Sequence, residues 1–185
     1  MPELPEVETI VRQLSPKLKG KTFWKAESKL DSTFLPDFKT FEKVLPGKKI
    51  LNVLRRGKFI VIELSENYML VIHLRMTGRV LFKPEKGREK YIKAIFTFSD
   101  ATSLIFSDVR KFGRIWLFDK KSYEKGTGIS RLGIEPFSEN LTVKSLESLF
   151  KGKGILKNKL LDQSKIAGIG NIHADEICFR IKLHP

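Results

Sequence analysis

The chain has 185 residues, 41% of them hydrophobic, which suffices for one large folded domain or two small ones. Lysine and arginine total 35 against 21 aspartate and glutamate residues, so the net charge is +14. This excess favours binding to the phosphates of a polyanion over two alternatives: a protein that is merely basic, or one that binds acidic membrane surfaces.

Other features of composition exclude further classes of protein. No apolar stretch approaches the roughly 18 residues of a membrane span, and the acidic N-terminus does not resemble a signal peptide. Cys178 is the single cysteine, which excludes an internal disulfide and a four-cysteine zinc site within the chain. We therefore expect a soluble intracellular protein.

The first predicted element is a helix that begins near Pro5 and ends at Gly20. Pro16 is expected to kink or break it near its end. The helix is indicated by apolar residues at helical spacing, namely Val7, Ile10, Val11, Leu14 and Leu18.

Between about residues 21 and 118 the pattern changes to strands rich in branched and aromatic residues. Tight connections are expected at Glu66-Asn67 and at Ser99-Asp100. Strands in succession without helices favour an antiparallel sandwich or a barrel-like sheet. The predicted strands cover 50–56, 58–64, 68–74, 91–98, 102–108 and 114–119.

Beyond residue 120 the pattern becomes helical, after an expected connector over 124–134. Three helices are predicted, over 141–150 with Thr142 as N-cap, over 156–163 and over 174–181. The prediction is an α+β fold, with a β-sandwich domain carrying an N-terminal helix over 1–130 and a helical domain over 131–185. The chain stops directly after a helix, which leads us to expect a truncated protein.

The N-terminus places a possible catalytic amine beside carboxylates. If Met1 is removed, Pro2 has a free secondary amine that titrates near pH ~8 and can attack a sugar C1′ carbon to form an iminium. Glu3 and Glu6 lie close enough in sequence to serve as proton donor and acceptor. The alternative is that these acids, with Glu8, only complement the helix dipole. If Met1 is retained, the Pro2 nitrogen is an amide nitrogen and cannot act as a nucleophile.

Several literal strings carry a family resemblance. They are MPELPEVET (1–9), RRGKF (55–59), HLRMTGR (73–79), DVRKFG (108–113), RLGIEP (131–136) and LLDQSKIAGIGNIHADEICFRIKLHP (160–185). In this order and spacing they resemble bacterial formamidopyrimidine-DNA glycosylases over essentially the whole chain. The resemblance implies a monomer that excises oxidised purines (8-oxoguanine, formamidopyrimidines) from duplex DNA and nicks abasic sites. It also implies that the helical part is a partial helix–two-turn–helix domain.

The resemblance also implies a role for individual residues. Pro2 is the nucleophile, Glu3 the general acid/base, Glu6 a supporting carboxylate, and Lys58 a contact to the phosphate near the lesion. The expected DNA-binding residues are His73, Met76, Arg110, Phe112, Lys157 and Asn171. In the family the matching Met, Arg and Phe enter the duplex, fill the space of the everted base and pair with the opposite base. Without the resemblance, Lys58 reads as an ordinary strand lysine, and Met76 and Phe112 as core residues.

The chain also departs from the family pattern. His173 stands where the family usually has tyrosine, and Val109 and Lys111 replace a proline and an arginine. The family's four-cysteine zinc finger is missing, so we expect no cofactor in this chain. Two alternatives stay open: a DNA- or RNA-binding module without full catalysis, and a sister glycosylase for oxidised pyrimidines. LPEVET and the set of Met76, Arg110 and Phe112 argue against the second.

Overall fold

A computed structural model of the chain describes residues 1–82 and 89–185. The strands are β1 (Phe23–Ser28), β2 (Phe34–Leu35), β3 (Ile50–Arg56), β4 (Phe59–Leu64), β5 (Tyr68–His73), β6 (Gly78–Phe82), β7 (Ile92–Phe98), β8 (Ser103–Asp108) and β9 (Arg114–Asp119). The α-helices are α1 (Leu4–Leu18), α2 (Phe38–Val44), α3 (Tyr123–Thr127), α4 (Val143–Phe150), α5 (Leu156–Leu161) and α6 (Asn171–Arg180).

The strands form two sheets. A four-stranded sheet has the order β1-β7-β8-β6, and a five-stranded sheet has the order β2-β9-β5-β4-β3. Neighbouring strands are antiparallel except for β2 and β9, which run parallel. The predicted α+β fold with a β-sandwich is confirmed. All six predicted strands are present, with bounds that differ by one residue at most.

One apolar core lies between the sheets and α1. Its largest fully buried side chains are phenylalanines, namely Phe23, Phe34, Phe41, Phe96, Phe98 and Phe106. Helix α1 adds Val7, Val11, Leu14 and Leu18 to the same cluster. Burying each such side chain contributes about 1.5–3 kcal/mol, so the apolar stripe of α1 fixes the chain start against the sandwich.

Two local predictions were wrong, and a third was wrong in part. Helix α1 is not broken at Pro16 but runs on to Leu18, because proline in the last turn removes only one backbone donor and the buried Leu18 still packs. Helix α2 interrupts the strand-rich region, and Asp37 caps it by accepting a hydrogen bond from the Thr40 N–H at 2.9 Å. The expected connector over 124–134 contains α3 and a 3₁₀ turn, where Ile129 packs into an apolar cluster.

The predicted hairpin connections are correct. Glu66 and Asn67 have φ angles of 57° and 60°, the left-handed conformation that a tight turn between β4 and β5 requires. At the other connection the Asp100 side chain accepts a hydrogen bond from the Thr102 N–H at 3.1 Å. Asparagine and aspartate are common at such turns because their side chains can bond to nearby backbone groups.

The helical part has a small core of its own. Thr142 caps α4 as predicted, accepting from the Ser145 N–H at 3.1 Å. Helix α6 begins at Asn171, three residues earlier than predicted. Between α5 and α6 a tight loop over 162–170 turns the chain. The buried residues of this cluster are Leu160, Ile166, Ile169, Ala174 and Cys178.

Glu135 joins the helical part to the β3–β4 turn. Its carboxylate accepts hydrogen bonds from Arg55 Nη1 at 2.6 Å, Arg56 Nη1 at 2.8 Å and the Gly57 N–H at 2.6 Å. One residue earlier, the carbonyl of Ile134 accepts from the Ala167 N–H at 2.9 Å. The 132–135 segment thus connects the strand turn to the α5–α6 loop, while the domain boundary at 130/131 stays a prediction.

Within residues 1–82 and 89–185 no helix has the length and apolar character that crossing a membrane requires.

The junction yields the first testable expectation. Glu135→Ala removes three charge-assisted hydrogen bonds, and the partly buried Arg55 loses one of its carboxylate partners. We therefore expect a loss of about 3 kcal/mol in the free energy of unfolding. Urea denaturation followed by circular dichroism measures it. Glu139→Ala, at an exposed position a few residues after Glu135, is the matched control and should change stability by less than about 0.5 kcal/mol. Equal effects of the two variants would contradict the assigned role of Glu135.

Candidate active site

The Glu3 carboxylate lies at the N-terminus of α6. Its Oε1 atom accepts a hydrogen bond from the Ile172 N–H at 2.9 Å. Its Oε2 atom accepts from the Gly170 N–H at 3.0 Å, from the His173 N–H at 3.2 Å, and from His173 Nδ1. The first backbone N–H groups of a helix have no partner within the helix, and here a side chain from the start of the chain supplies it.

These contacts set the charge of Glu3. Burial raises the pKa of this carboxyl, since the residue is only 2% exposed. The hydrogen bonds from the His173 ring and from the backbone of Ile172, His173 and Gly170 lower it, and the net pKa lies below the ordinary value of a glutamate. Glu3 is therefore held as a carboxylate at neutral pH.

Glycine is required where the two chain segments meet. A Cβ atom on Gly170 would overlap the Glu3 carboxyl group, and one on Gly168 would overlap the Leu4 side chain. Gly168 also has a φ of +97°, and its carbonyl accepts from the Leu4 N–H at 3.1 Å. Gln163 supports the loop from inside by accepting from the Gly168 N–H at 2.9 Å. The AGIGN segment (residues 167–171) thus forms the binding site of the Glu3 carboxylate.

Glu6 and Lys58 both lie near Glu3. The Glu6 carboxylate accepts from the Glu3 N–H at 2.8 Å, which completes a capping box and fixes the first turn of α1. Lys58, directly after the β3–β4 turn, is 7% exposed. Burial lowers the pKa of its ammonium, whereas the charge of Glu3 acts to raise it. The structure brings these predicted catalytic residues together with Glu3.

Pro2 is half-buried and Met1 is exposed. With Met1 attached, the Pro2 nitrogen is a peptide nitrogen, so the predicted nucleophile requires removal of Met1. Pro2 lines a cleft of about 670 Å³ together with Ile10, Met76 and Tyr91. The cleft is large enough for a nucleoside-sized group, and Pro2 forms part of its wall.

Two loops next to this cleft expose apolar side chains. Met76, between β5 and β6, is 43% exposed, and Phe112, between β8 and β9, is 48% exposed. Together with Met1 they line a second depression of about 470 Å³. The Arg110 guanidinium lies 4.9 Å from the centre of the Phe112 ring. Exposed apolar tips beside a cation are the arrangement expected of wedge residues.

Asp108 holds these two loops together, a role that the sequence did not suggest. It is 1% exposed and accepts hydrogen bonds from the Thr77 hydroxyl, from the Arg110 N–H at 3.2 Å, and from the Gly113 N–H at 2.7 Å. The Thr77 hydroxyl in turn accepts from the Arg110 N–H at 3.0 Å. The only available signal was the Asp at the start of DVRKFG, a residue type that often bonds to the backbone of its own loop.

His73 is buried rather than displayed on the surface. Its Nδ1 accepts from the Arg75 N–H at 3.0 Å, and its ring packs edge-on against Phe59. Burial, with the charges of Arg75 and Lys58, lowers the pKa of His73 to about 3, so the ring is neutral. In this structure it supports the turn that carries Met76, and a contact of His73 with DNA stays a prediction.

The two predicted phosphate-binding residues of the helical part lie on neighbouring helices. Lys157 on α5 forms an ion pair with Asp175 on α6 at 2.6 Å, and Asn171 is the exposed first residue of α6. Their contacts with phosphate stay predictions. In the part of the chain that the structure describes, His, Cys, Asp and Glu form no group of three or more that could hold a metal ion.

The hydrogen bonds to Glu3 predict an acid-sensitive contribution to stability. Because the pKa of folded Glu3 lies below the ordinary value of 4.5 for an unfolded glutamate, the contribution is complete above that pH and is lost as the pH falls through the folded pKa. Glu3→Gln should therefore be less stable than the parent by about 2 kcal/mol at pH 7, and the gap should narrow in acid. Urea denaturation at pH 7 and at about pH 3 measures both values. Glu139→Gln is the control, and a gap that is independent of pH would contradict the assignment.

Two family models match consecutive segments of the chain. A family model described as "Formamidopyrimidine-DNA glycosylase N-terminal domain" matches residues 1–115. A second, described as "Formamidopyrimidine-DNA glycosylase H2TH domain", matches residues 132–185. The matched segments together contain the Glu3 carboxylate, the N-terminus of α6 that binds it, and the two loops joined by Asp108.

Individual relatives cover the whole chain. The formamidopyrimidine-DNA glycosylase of Lactobacillus helveticus is 43% identical over 187 residues, which span 100% of this chain and 68% of that protein. The Pelotomaculum thermopropionicum enzyme is 42% identical with the same coverage. A crystal structure of the Lactococcus lactis glycosylase, non-covalently bound to DNA with an AP site, superposes with a TM-score of 0.90 at 34% identity, covering 99% of this chain and 71% of that one. The chain belongs to the formamidopyrimidine-DNA glycosylase family of DNA repair enzymes.

Proposed function

We propose that this chain, once Met1 is removed, excises oxidised purines from duplex DNA and cleaves the resulting abasic site through a Schiff base to Pro2. The observation that carries the proposal is the position of Pro2: it lines a cleft and directly precedes a buried carboxylate that the N-terminus of α6 holds in place. We place this activity in the bacterial cytoplasm, at the nucleoid.

The Pro2 amine supplies the covalent chemistry. Its nitrogen lone pair attacks C1′ of the damaged nucleotide, and the bond from C1′ to the base breaks, so that the base leaves. The Pro2 nitrogen loses its N–H proton in this step, and the departing base takes that proton up. A secondary amine then forms an iminium with C1′ as the sugar ring opens. The iminium makes the C2′ hydrogen acidic, and loss of that proton expels the 3′ phosphate. The α-amino group suits this role because it titrates near pH ~8 and is partly uncharged at neutral pH.

Glu3 moves the protons of this sequence. Ring opening needs a proton on the sugar oxygen, and elimination needs a base near C2′. Glu3 is the residue next to Pro2. Five hydrogen bonds, one at its backbone N–H and four at its carboxylate, fix its position. Lys58, buried beside Glu3, offers an ammonium to the phosphate of the damaged nucleotide.

The exposed loops support access to the damaged base. An enzyme that acts on a base inside a duplex must turn that nucleotide out of the helix, at a cost of a few kcal/mol. Met76 and Phe112 can fill the vacated space, and Arg110 can hydrogen-bond the opposite base. The net charge of +14 attracts the duplex. The Lactococcus lactis glycosylase binds DNA that contains an N7-benzyl-Fapy-dG lesion or an AP site, which supports the same substrate class here.

Borohydride trapping tests the proposal. The chain without Met1, incubated with an 8-oxoguanine duplex and sodium borohydride, should form a covalent adduct, because borohydride reduces the iminium to a stable amine. Intact mass spectrometry establishes both the removal of Met1 and the mass of the adduct. A form with an N-terminal extension that keeps Pro2 in a peptide bond is the matched control and should form none.

The same assay separates the alternatives. Salt-sensitive DNA binding without an adduct would indicate a binding module without catalysis. Faster trapping on an oxidised pyrimidine than on 8-oxoguanine would indicate the sister activity. Glu3→Gln should still bind the duplex but lose base excision, and normal turnover by this variant would remove Glu3 from the mechanism.

The wedge residues can be tested by a substitution at Phe112. Phe112→Ala should lower base excision from an intact lesion duplex by roughly tenfold, since an apolar side chain no longer offsets about 1–2 kcal/mol of unstacking. Cleavage of a preformed abasic site should fall much less, because that site has no base to turn out. Single-turnover rates on the two duplexes measure the difference. Phe137→Ala, which removes a phenylalanine exposed elsewhere, is the control. Equal losses on both substrates would argue against wedging.

A further inference from the structure

His173 links the buried Glu3 carboxylate to the outside of the protein. Its Nδ1 contacts Glu3 Oε2, and because Glu3 is held ionised, this nitrogen must donate its hydrogen. The Glu3 side chain is 3% exposed, whereas the His173 side chain is 39% exposed. Of the groups that donate to the Glu3 carboxylate from residues 1–82 and 89–185, the other three are backbone amides, which do not release protons.

Glu3 needs such a partner for the chemistry proposed above. Four hydrogen bonds stabilise its charged form, so it carries no proton when the reaction begins. A group that must protonate a sugar oxygen cannot act from this state without a source of protons. A group that is titratable near neutral pH and contacts the carboxylate supplies this proton most directly, and histidine meets the first condition by its ordinary chemistry.

We propose that His173 is the proton-relay partner of Glu3. The proposal rests on the proposed function, and the residue acts through Glu3 rather than on the substrate. It names a further participant in catalysis at a position where this chain has histidine.

The proton count balances over the reaction. As the sugar ring opens, the Nδ1 proton of the His173 imidazolium passes to Glu3 Oε2, and the proton of Glu3 passes to the sugar oxygen O4′. During elimination the Glu3 carboxylate takes the C2′ proton, and His173 Nδ1 receives it from Glu3. The imidazolium and the carboxylate are restored, and no oxidant, reductant or further reactant takes part.

Charged groups around the pair come from three elements. Lys58 follows the β3–β4 turn and acts on Glu3 electrostatically, and Glu6 on α1 accepts from the Glu3 backbone. On α6 itself, Asp175 is paired with Lys157, and Glu176 is exposed. The His173 ring is the one among them that is hydrogen-bonded to the carboxylate and also reaches solvent, so it is the path for a proton.

Two variants separate proton transfer from hydrogen bonding. In His173→Asn the side-chain amide can donate to Glu3 from the place of Nδ1 but cannot release a proton, and in His173→Ala both functions are absent. Single-turnover excision of 8-oxoguanine should fall by roughly 100-fold in both. Added imidazole should restore part of the rate of His173→Ala. The pH dependence of the parent's rate should differ from that of His173→Asn, because asparagine cannot release or take up a proton at this position.

The outcomes are distinct. A parent chain that neither excises the base nor traps on borohydride would overturn the proposed function, and the relay with it. An active parent whose His173→Asn variant keeps the full rate and the same pH profile would overturn the relay alone, and would show a hydrogen-bonding role for His173. Circular dichroism and urea denaturation of both variants verify that they are folded.

Discussion

The structure depends on one interaction, the seating of the Glu3 carboxylate on the N-terminus of α6. The partners are 167 residues apart in sequence, so the contact joins the start of the chain to its helical end. A helix N-terminus has unpaired N–H groups and a partial positive charge, and a carboxylate satisfies both. The same contact orders the α5–α6 loop, places Pro2 at the cleft and excludes any side chain at position 170.

The binding of Glu3 at the N-terminus of α6 also affects how readily this carboxyl group gives up or takes up a proton. The hydrogen bonds that fix Glu3 in space lower its pKa, so a precisely placed carboxylate is a weak proton donor in its resting state. An enzyme can escape this conflict by burying its acid in an apolar pocket, or by giving a hydrogen-bonded carboxylate a titratable neighbour. In the relay proposed above, His173 is that titratable neighbour. Under this proposal the same carboxylate serves both structure and proton transfer, in two different protonation states.

Secondary-structure elements could be predicted from the sequence, whereas contacts between residues far apart in the chain could not. Alternating and helical apolar patterns placed six strands and α1, because each pattern reports the face that an element buries. The start of α6 was misplaced because its cap is Glu3, which no local window contains. Asp108 was overlooked for a similar reason, since its partner Thr77 lies 31 residues away in sequence, in another loop. The site residues were found through literal family strings, which carry no geometry.

Three carboxylates share one physical role in this basic chain. Glu3, Asp108 and Glu135 each accept hydrogen bonds from backbone N–H groups of a loop that the sandwich alone would not fix. An acidic group used in this way adds little negative charge at the surface, because it is buried or half-buried. The net positive charge of the chain is thereby little offset at the surface, while each carboxylate fixes its loop through backbone hydrogen bonds. The placement of the acids, as well as the excess of lysine and arginine, fits the duplex substrate proposed above.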